Sequence, residues 1–146
     1  MLREVRTDVV INASKEFVWE TLTRFEDYPS WNPFATSIEG NLIVGENLAV
    51  TINVPNQGIM KFSPRIIDVK HNVRFAWQGK VLVKGVFDGE HSFELESISD
   101  TQCRLVHREV FSGFLVAMMW KKLSNNTHEG FSHMNQALKL KCEGAA

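Results

Sequence analysis

Cysteine is scarce. Cys103 and Cys142 stand alone, with no CxxC pair and no Cys/His spacing, so buried or free thiols are expected rather than a disulfide framework or a zinc site. An excess of charge of one sign is also missing: 16 Lys+Arg against 17 Asp+Glu leave a net charge of -1. No basic cluster provides the footprint that nucleic acid requires, so nucleic acid is not an expected partner. No run approaches the roughly 18 apolar residues of a membrane span. The opening MLREVRTDVVINAS has charges where a signal peptide needs its apolar stretch. The expectation is a cytoplasmic protein without an integral membrane segment. Repeats, low-complexity tracts and Pro/Gly-rich linkers are absent, which points to one domain over 1–146. No phosphate loop, dinucleotide fingerprint or Ser/His/Asp set occurs, so no organic cofactor is implied.

What is present is an ordered change of hydrophobic period. VRTDVVIN reads as a strand, and Ser14 can cap a helix through KEFVWETLTRF, with Phe17, Val18, Leu22 and Phe25 at helical spacing. Pro29 and Pro33 limit EDYPSWNPF to a kinked connector of a turn or two. From Thr36 to about Ser112 turn residues punctuate short apolar runs, Gly79-Lys80 among them, predicting about six antiparallel strands. From 114 to about 140 there is no proline. Val116, Trp120, Leu123, Thr127, Gly130, Met134 and Leu138 recur at steps of three or four, predicting one long amphipathic helix. Gly130 is expected to mark a close approach of that helix to the sheet. The fold class is α+β: a curved antiparallel sheet wrapped around its last helix buries both apolar surfaces.

The faces of the late strands follow from alternation. In GEHSFELE, Glu90, Ser92, Glu94 and Glu96 alternate with His91, Phe93 and Leu95, so the second set faces inward. A turn centred on Asp100 pairs Leu95 with Leu105, Phe93 with His107 and His91 with Glu109, while Glu96 meets Arg104 outside. A register one residue away would send His107 and Glu109 to solvent, and the charge pairing favours the first. His91, His107 and Glu109 then converge on the concave side. A buried carboxylate costs several kcal/mol unless partnered, so this cluster is a structural hydrogen-bond group, a ligand-orienting set or a general acid/base set. A metal site of two His and one Glu is the least favoured alternative.

INASKEFVWETLTRFEDYPSWNPF, the paired GVFDGEHSFELE and CRLVHREVFSG, and the closing GFSHMNQALK together resemble the START-like, Bet v 1-like superfamily of polyketide cyclase/dehydrase type. The resemblance implies a helix-grip fold whose cavity, between sheet and long helix, accepts an apolar or amphipathic small molecule. It places Trp31, Asn32 and Phe34 near the pocket mouth. Phe75, Trp77, Phe93, Phe111, Leu123 and Phe131 are candidate lining residues, with Met119, beside Met118, an adaptable wall. The expected function is binding of a lipid- or polyketide-like molecule. The alternatives are a cyclase or dehydratase using His91, His107 and Glu109, or an interaction module presenting Lys121, Lys122 and His128. The oligomeric state is left open.

Overall fold

The structure is a computed structural model and describes residues 2–81 and 85–144. In chain order it comprises β1 (Arg3–Ile11), α1 (Lys15–Thr23), a 3-10 turn (Phe25–Asp27), α2 (Tyr28–Trp31), β2 (Ala35–Glu39), β3 (Ala49–Val54), β4 (Gly58–Phe62), β5 (Arg65–Lys70), β6 (Arg74–Val81), β7 (Phe87–Ser99), β8 (Gln102–Ser112) and α3 (Phe114–Cys142). Ser14 caps α1 by accepting from the Phe17 amide at 3.2 Å. The buried face of α1 is Val18, Trp19 and Leu22, whereas Phe17, expected in the stripe, is 49% exposed. The helix is rotated by about one position so that Trp19 reaches Phe75 across the core. Tyr28, the single tyrosine, is buried in the connector and donates its hydroxyl to the Leu22 carbonyl.

The strands form a five-stranded sheet of order β1-β8-β7-β6-β5 and a three-stranded sheet of order β2-β3-β4, rather than the single meander expected. Pro64 lies between β4 and β5, where it cannot donate to a ladder. Backbone bonds from Gly45 and Leu48 to Ile66 and Pro64 nevertheless tie the segment before β3 to the β5 edge. Gly79 and Lys80 do not turn the chain: β6 continues through them, pairing with Gly89 and Asp88.

In the β7–β8 hairpin, Leu95 pairs Leu105, Phe93 pairs His107, His91 pairs Glu109 and Glu96 pairs Arg104, as the alternation requires. The odd register arises differently from the expectation. Ser99 pairs Gln102 across a tight turn, and the ladder shifts between Ser97 and Ser99. Ile98 is the extra residue of a β-bulge, and it restores the register that keeps the apolar face inward.

α3 packs on β1, β8 and β7. It buries Val116, Leu123, Asn126, Thr127, Gly130, Phe131, Met134, Asn135 and Leu138. The close approach at Gly130 is real, but it is to the connector and the β3–β4 turn of the small sheet and not to the long sheet: an added Cβ would stand 2.5 Å from the Phe34 ring and 3.3 Å from Pro55. Among the described residues no helix is long and apolar enough to cross a membrane.

Candidate functional site

The inward face of the five-stranded sheet is a lattice of cross-strand rows. One row runs Val5, Glu109, His91, Trp77, Ile66, and the next runs Thr7, His107, Phe93, Phe75, Val69. Toward the strand ends lies a third row of Arg3, Phe111, Gly89 and Gly79. Two of its four positions carry no side chain, and Glu109 uses the first gap. A Cβ on Gly89 would stand 2.1 Å from Glu109 Oε2, so the carboxyl lies directly over the glycine backbone.

The imidazoles are packed among aromatic rings. His107 is fully buried and stacks on Phe131 at 3.9 Å between centroids, 12° from parallel. His91 lies 4.8 Å from Phe93, from Phe131 and from Trp77. The two imidazoles approach through Nε2 and Nε2 at 2.7 Å. His107 Nδ1 meets Asn135 Oδ1 at 2.8 Å, Asn135 Nδ2 donates to Thr7 Oγ1 at 2.8 Å, and Thr7 donates to the His107 carbonyl at 2.9 Å. At the other end His91 Nδ1 stands 3.5 Å from Glu109 Oε1. The expected trio is therefore brought together, and it extends to Asn135 and Thr7, which the sequence reading missed. A signal for Asn135 existed: it lies four residues after Phe131, a polar residue on an apolar helix face.

Burial dominates the protonation of this group. It pushes the Glu109 carboxyl up to about 8. It pushes His107 down to about 3, against the Asn135 hydrogen bond, which favours the charged ring. Burial, followed by repulsion from His107, holds His91 well below its ordinary value. All three groups are thus held mainly neutral near pH 7. The Glu109 side chain keeps 18% exposure, which sets it at the margin of the core.

The remaining candidates divide. Phe75, Trp77, Phe93, Phe111, Phe131 and Leu123 are buried core residues, and Phe111 packs between Phe87 and Trp120. Met119 is 42% exposed and Met118 is 77% exposed, so neither forms the expected inner wall. Their positions fall outside the stripe that α3 turns inward. Asn32 spends its carbonyl oxygen on the Phe34 and Ala35 amides, both at 2.9 Å, which fixes the connector turn. Its Nδ2 and the Trp31 indole N–H are buried with no hydrogen-bond partner among the described residues. Phe34 packs edge-on against Phe131 at 5.6 Å. A surface depression of about 450 Å³ lined by Glu16, Trp19, Glu20, Thr23, His71 and Asn72 contains none of the candidate residues.

The family model for polyketide cyclase / dehydrase and lipid transport matches residues 3–139. The chain belongs to that family. Among solved structures, the Zhui aromatase/cyclase of a Streptomyces species is similar with a TM-score of 0.78 and 15% identity over 98% of this chain and 94% of that one. A START superfamily protein from Mycobacterium smegmatis is similar with a TM-score of 0.73 and 19% identity over 98% and 99%. Norcoclaurine synthase from Thalictrum flavum, in complex with dopamine and hydroxybenzaldehyde, is similar with a TM-score of 0.75 and 15% identity over 100% and 89%. No curated protein matches the chain. At these identities the solved structures establish the shared helix-grip fold of this cyclase/dehydrase family member and leave its chemistry to its own residues.

Proposed function

We propose that the protein binds an apolar or amphipathic small molecule between the five-stranded sheet and α3, with the ligand's polar end at Glu109 and His91. The supporting observation is Glu109 itself. A carboxyl on an inward face dominated by aromatic rings, part exposed over a glycine and beside Phe111, costs stability that a filled apolar core would not. Such a group is worth retaining where a ligand meets it. Membership of a family described as cyclase/dehydrase and lipid transport supports the same reading. Native mass spectrometry of freshly purified protein, together with displacement of a hydrophobic dye by aromatic and fatty ligands, tests it. Retained small molecule or competitive displacement is expected. If the dye does not bind and Trp77→Ala alters only stability, the aromatic face is core and the reading fails.

A second reading, acid–base catalysis on a carbonyl compound, is favoured by the part-exposed Glu109 side chain standing 3.5 Å from His91 Nδ1, where burial pushes its carboxyl up to about 8 and so leaves it a proton to give at neutral pH. The aromatase/cyclase and synthase names of similar structures point the same way. On this reading Glu109→Gln lowers turnover about 100-fold or more while binding persists. Turnover unaffected by that change excludes Glu109 as the acid.

A further inference from the structure

The hydrogen-bond chain behind Glu109 has a direction, and a group that can only accept sets it. The His107 carbonyl has no proton, so Thr7 must donate to it, as the 2.9 Å contact requires. The Thr7 oxygen then accepts from Asn135 Nδ2, which turns Asn135 Oδ1 toward His107. An amide oxygen can only accept, so His107 Nδ1 carries its proton. A neutral His107 therefore presents a lone pair at Nε2, and at 2.7 Å His91 Nε2 must be the donor. In a neutral His91 the remaining nitrogen, Nδ1, is then a bare lone pair 3.5 Å from Glu109 Oε1. A carboxylate there would set a negative oxygen against a lone pair. A carboxylic acid, or a carboxylate facing a His91 protonated on both nitrogens, would not. Either way the pair holds one proton more than His91 needs for its bond to His107.

We propose that Thr7 and Asn135 are positioning residues which, through His107, present the unprotonated Nδ1 of His91 to Glu109. They thereby keep one transferable proton on the Glu109–His91 pair. If a ligand occupies the space between sheet and helix, its polar end is then an acceptor oxygen such as a carbonyl, which takes a hydrogen bond from that proton. The 3.5 Å separation of Glu109 from His91 is longer than a good hydrogen bond, so the proton is not committed to the imidazole. Among the described residues, Glu109 faces His91 on β7 and pairs with Val5 on β1, and one row away the Arg3 guanidinium lies 5.8 Å from the Trp120 ring. The buried positions of α3 from Val116 to Leu138 are all uncharged. The upward displacement of the Glu109 carboxyl and the downward displacement of both imidazoles agree with this arrangement.

The test uses the full chain without ligand. Nitrogen NMR of histidine-labelled protein at about pH 7 reads the tautomers, and difference infrared spectroscopy against Glu109→Gln reads the carboxyl. The expected result is Nδ1–H on His107, Nε2–H on His91 and a protonated Glu109. Asn135→Leu removes the acceptor at similar volume and frees His107 to carry its proton on Nε2. His91 then turns to Nδ1–H and donates to Glu109, lowering its titration midpoint by about one pH unit or more. Thr7→Ser keeps the hydroxyl that donates to the His107 carbonyl and accepts from Asn135, and leaves the tautomers as in the wild type. A wild-type His107 protonated on Nε2 overturns the proposal, as does an unmoved Glu109 midpoint in folded Asn135→Leu. If Asn135→Leu does not fold, the wild-type tautomers and Thr7→Ser decide. No readout involves a ligand, so failed dye binding would sink the pocket reading and leave this proton arrangement standing.

Discussion

A neutral carboxylic acid and a carboxamide offer a ligand the same kind of donor, and this makes Glu109→Gln more informative than a simple knockout. With the carboxyl pushed up to about 8, wild-type protein should bind an apolar ketone at neutral pH and lose affinity as pH rises past that value. Glu109→Gln should bind the same ketone without that pH dependence, while Glu109→Leu should bind about tenfold or more weaker than Glu109→Gln at any pH, in keeping with a lost hydrogen bond. Fluorescence titration from about pH 6 to about pH 9 checks all three, and a pH-independent wild type would remove Glu109 from the ligand contact. Gly89 offers a second handle. Since a Cβ there would stand 2.1 Å from Oε2, Gly89→Ala must displace the carboxyl while adding only a methyl to a strand in which glycine is itself unfavourable. The expected outcome is weakened ketone binding with little change in unfolding temperature.

At the scale of elements, α3 holds the site together through the Phe131 ring beside the Asn135 amide. Phe131 is fully buried and stacks on His107 while touching His91 and packing against Phe34. Phe131→Ala is expected to cost about 3–5 kcal/mol and to release both imidazoles, measurable as a lowered urea midpoint and altered histidine NMR signals. The rows that this ring covers were legible in the sequence because β7 has glutamates on one face and rings on the other, and because Glu96 opposite Arg104 selects a register. The bulge that produces this register was not legible, since Ile98 looks like any strand residue. The rotation of α1 was hidden too: Phe17 and Trp19 flank the buried Val18, and only docking against Phe75 decides which ring goes inside. Thr7 and Asn135 are 128 positions apart and share no local pattern, so their partnership exists only once β1 and α3 are packed together. Short-range periodicity reports which face is buried, and it carries no information about which polar groups meet there.

At the scale of the whole molecule, the buried trio gives stability an asymmetric dependence on pH. The two imidazoles have native pKa values below their ordinary 6.5, so below 6.5 the unfolded chain takes up protons that the native state refuses, and stability falls toward acid. Glu109 has a native pKa raised from 4.5 to about 8, so its contribution is fully present below 4.5 and is lost as pH rises through about 8. Each unmatched proton changes stability by about 1.4 kcal/mol per pH unit. Between 4.5 and 6.5 two imidazoles outweigh one carboxyl, and stability climbs with pH; between 6.5 and about 8 the carboxyl acts alone, and stability declines. The contribution of the trio therefore peaks near 6.5, followed by a loss on the order of 2 kcal/mol by about pH 8. In Glu109→Gln the acid limb should remain and the alkaline decline should vanish. The quantity to measure is the difference in urea-unfolding free energy between wild type and variant across this range, which cancels the groups common to both. A difference that stays constant from about pH 6.5 to about pH 8 would mean that Glu109 is already ionised in the native state, and the neutral-acid account of the site would be wrong.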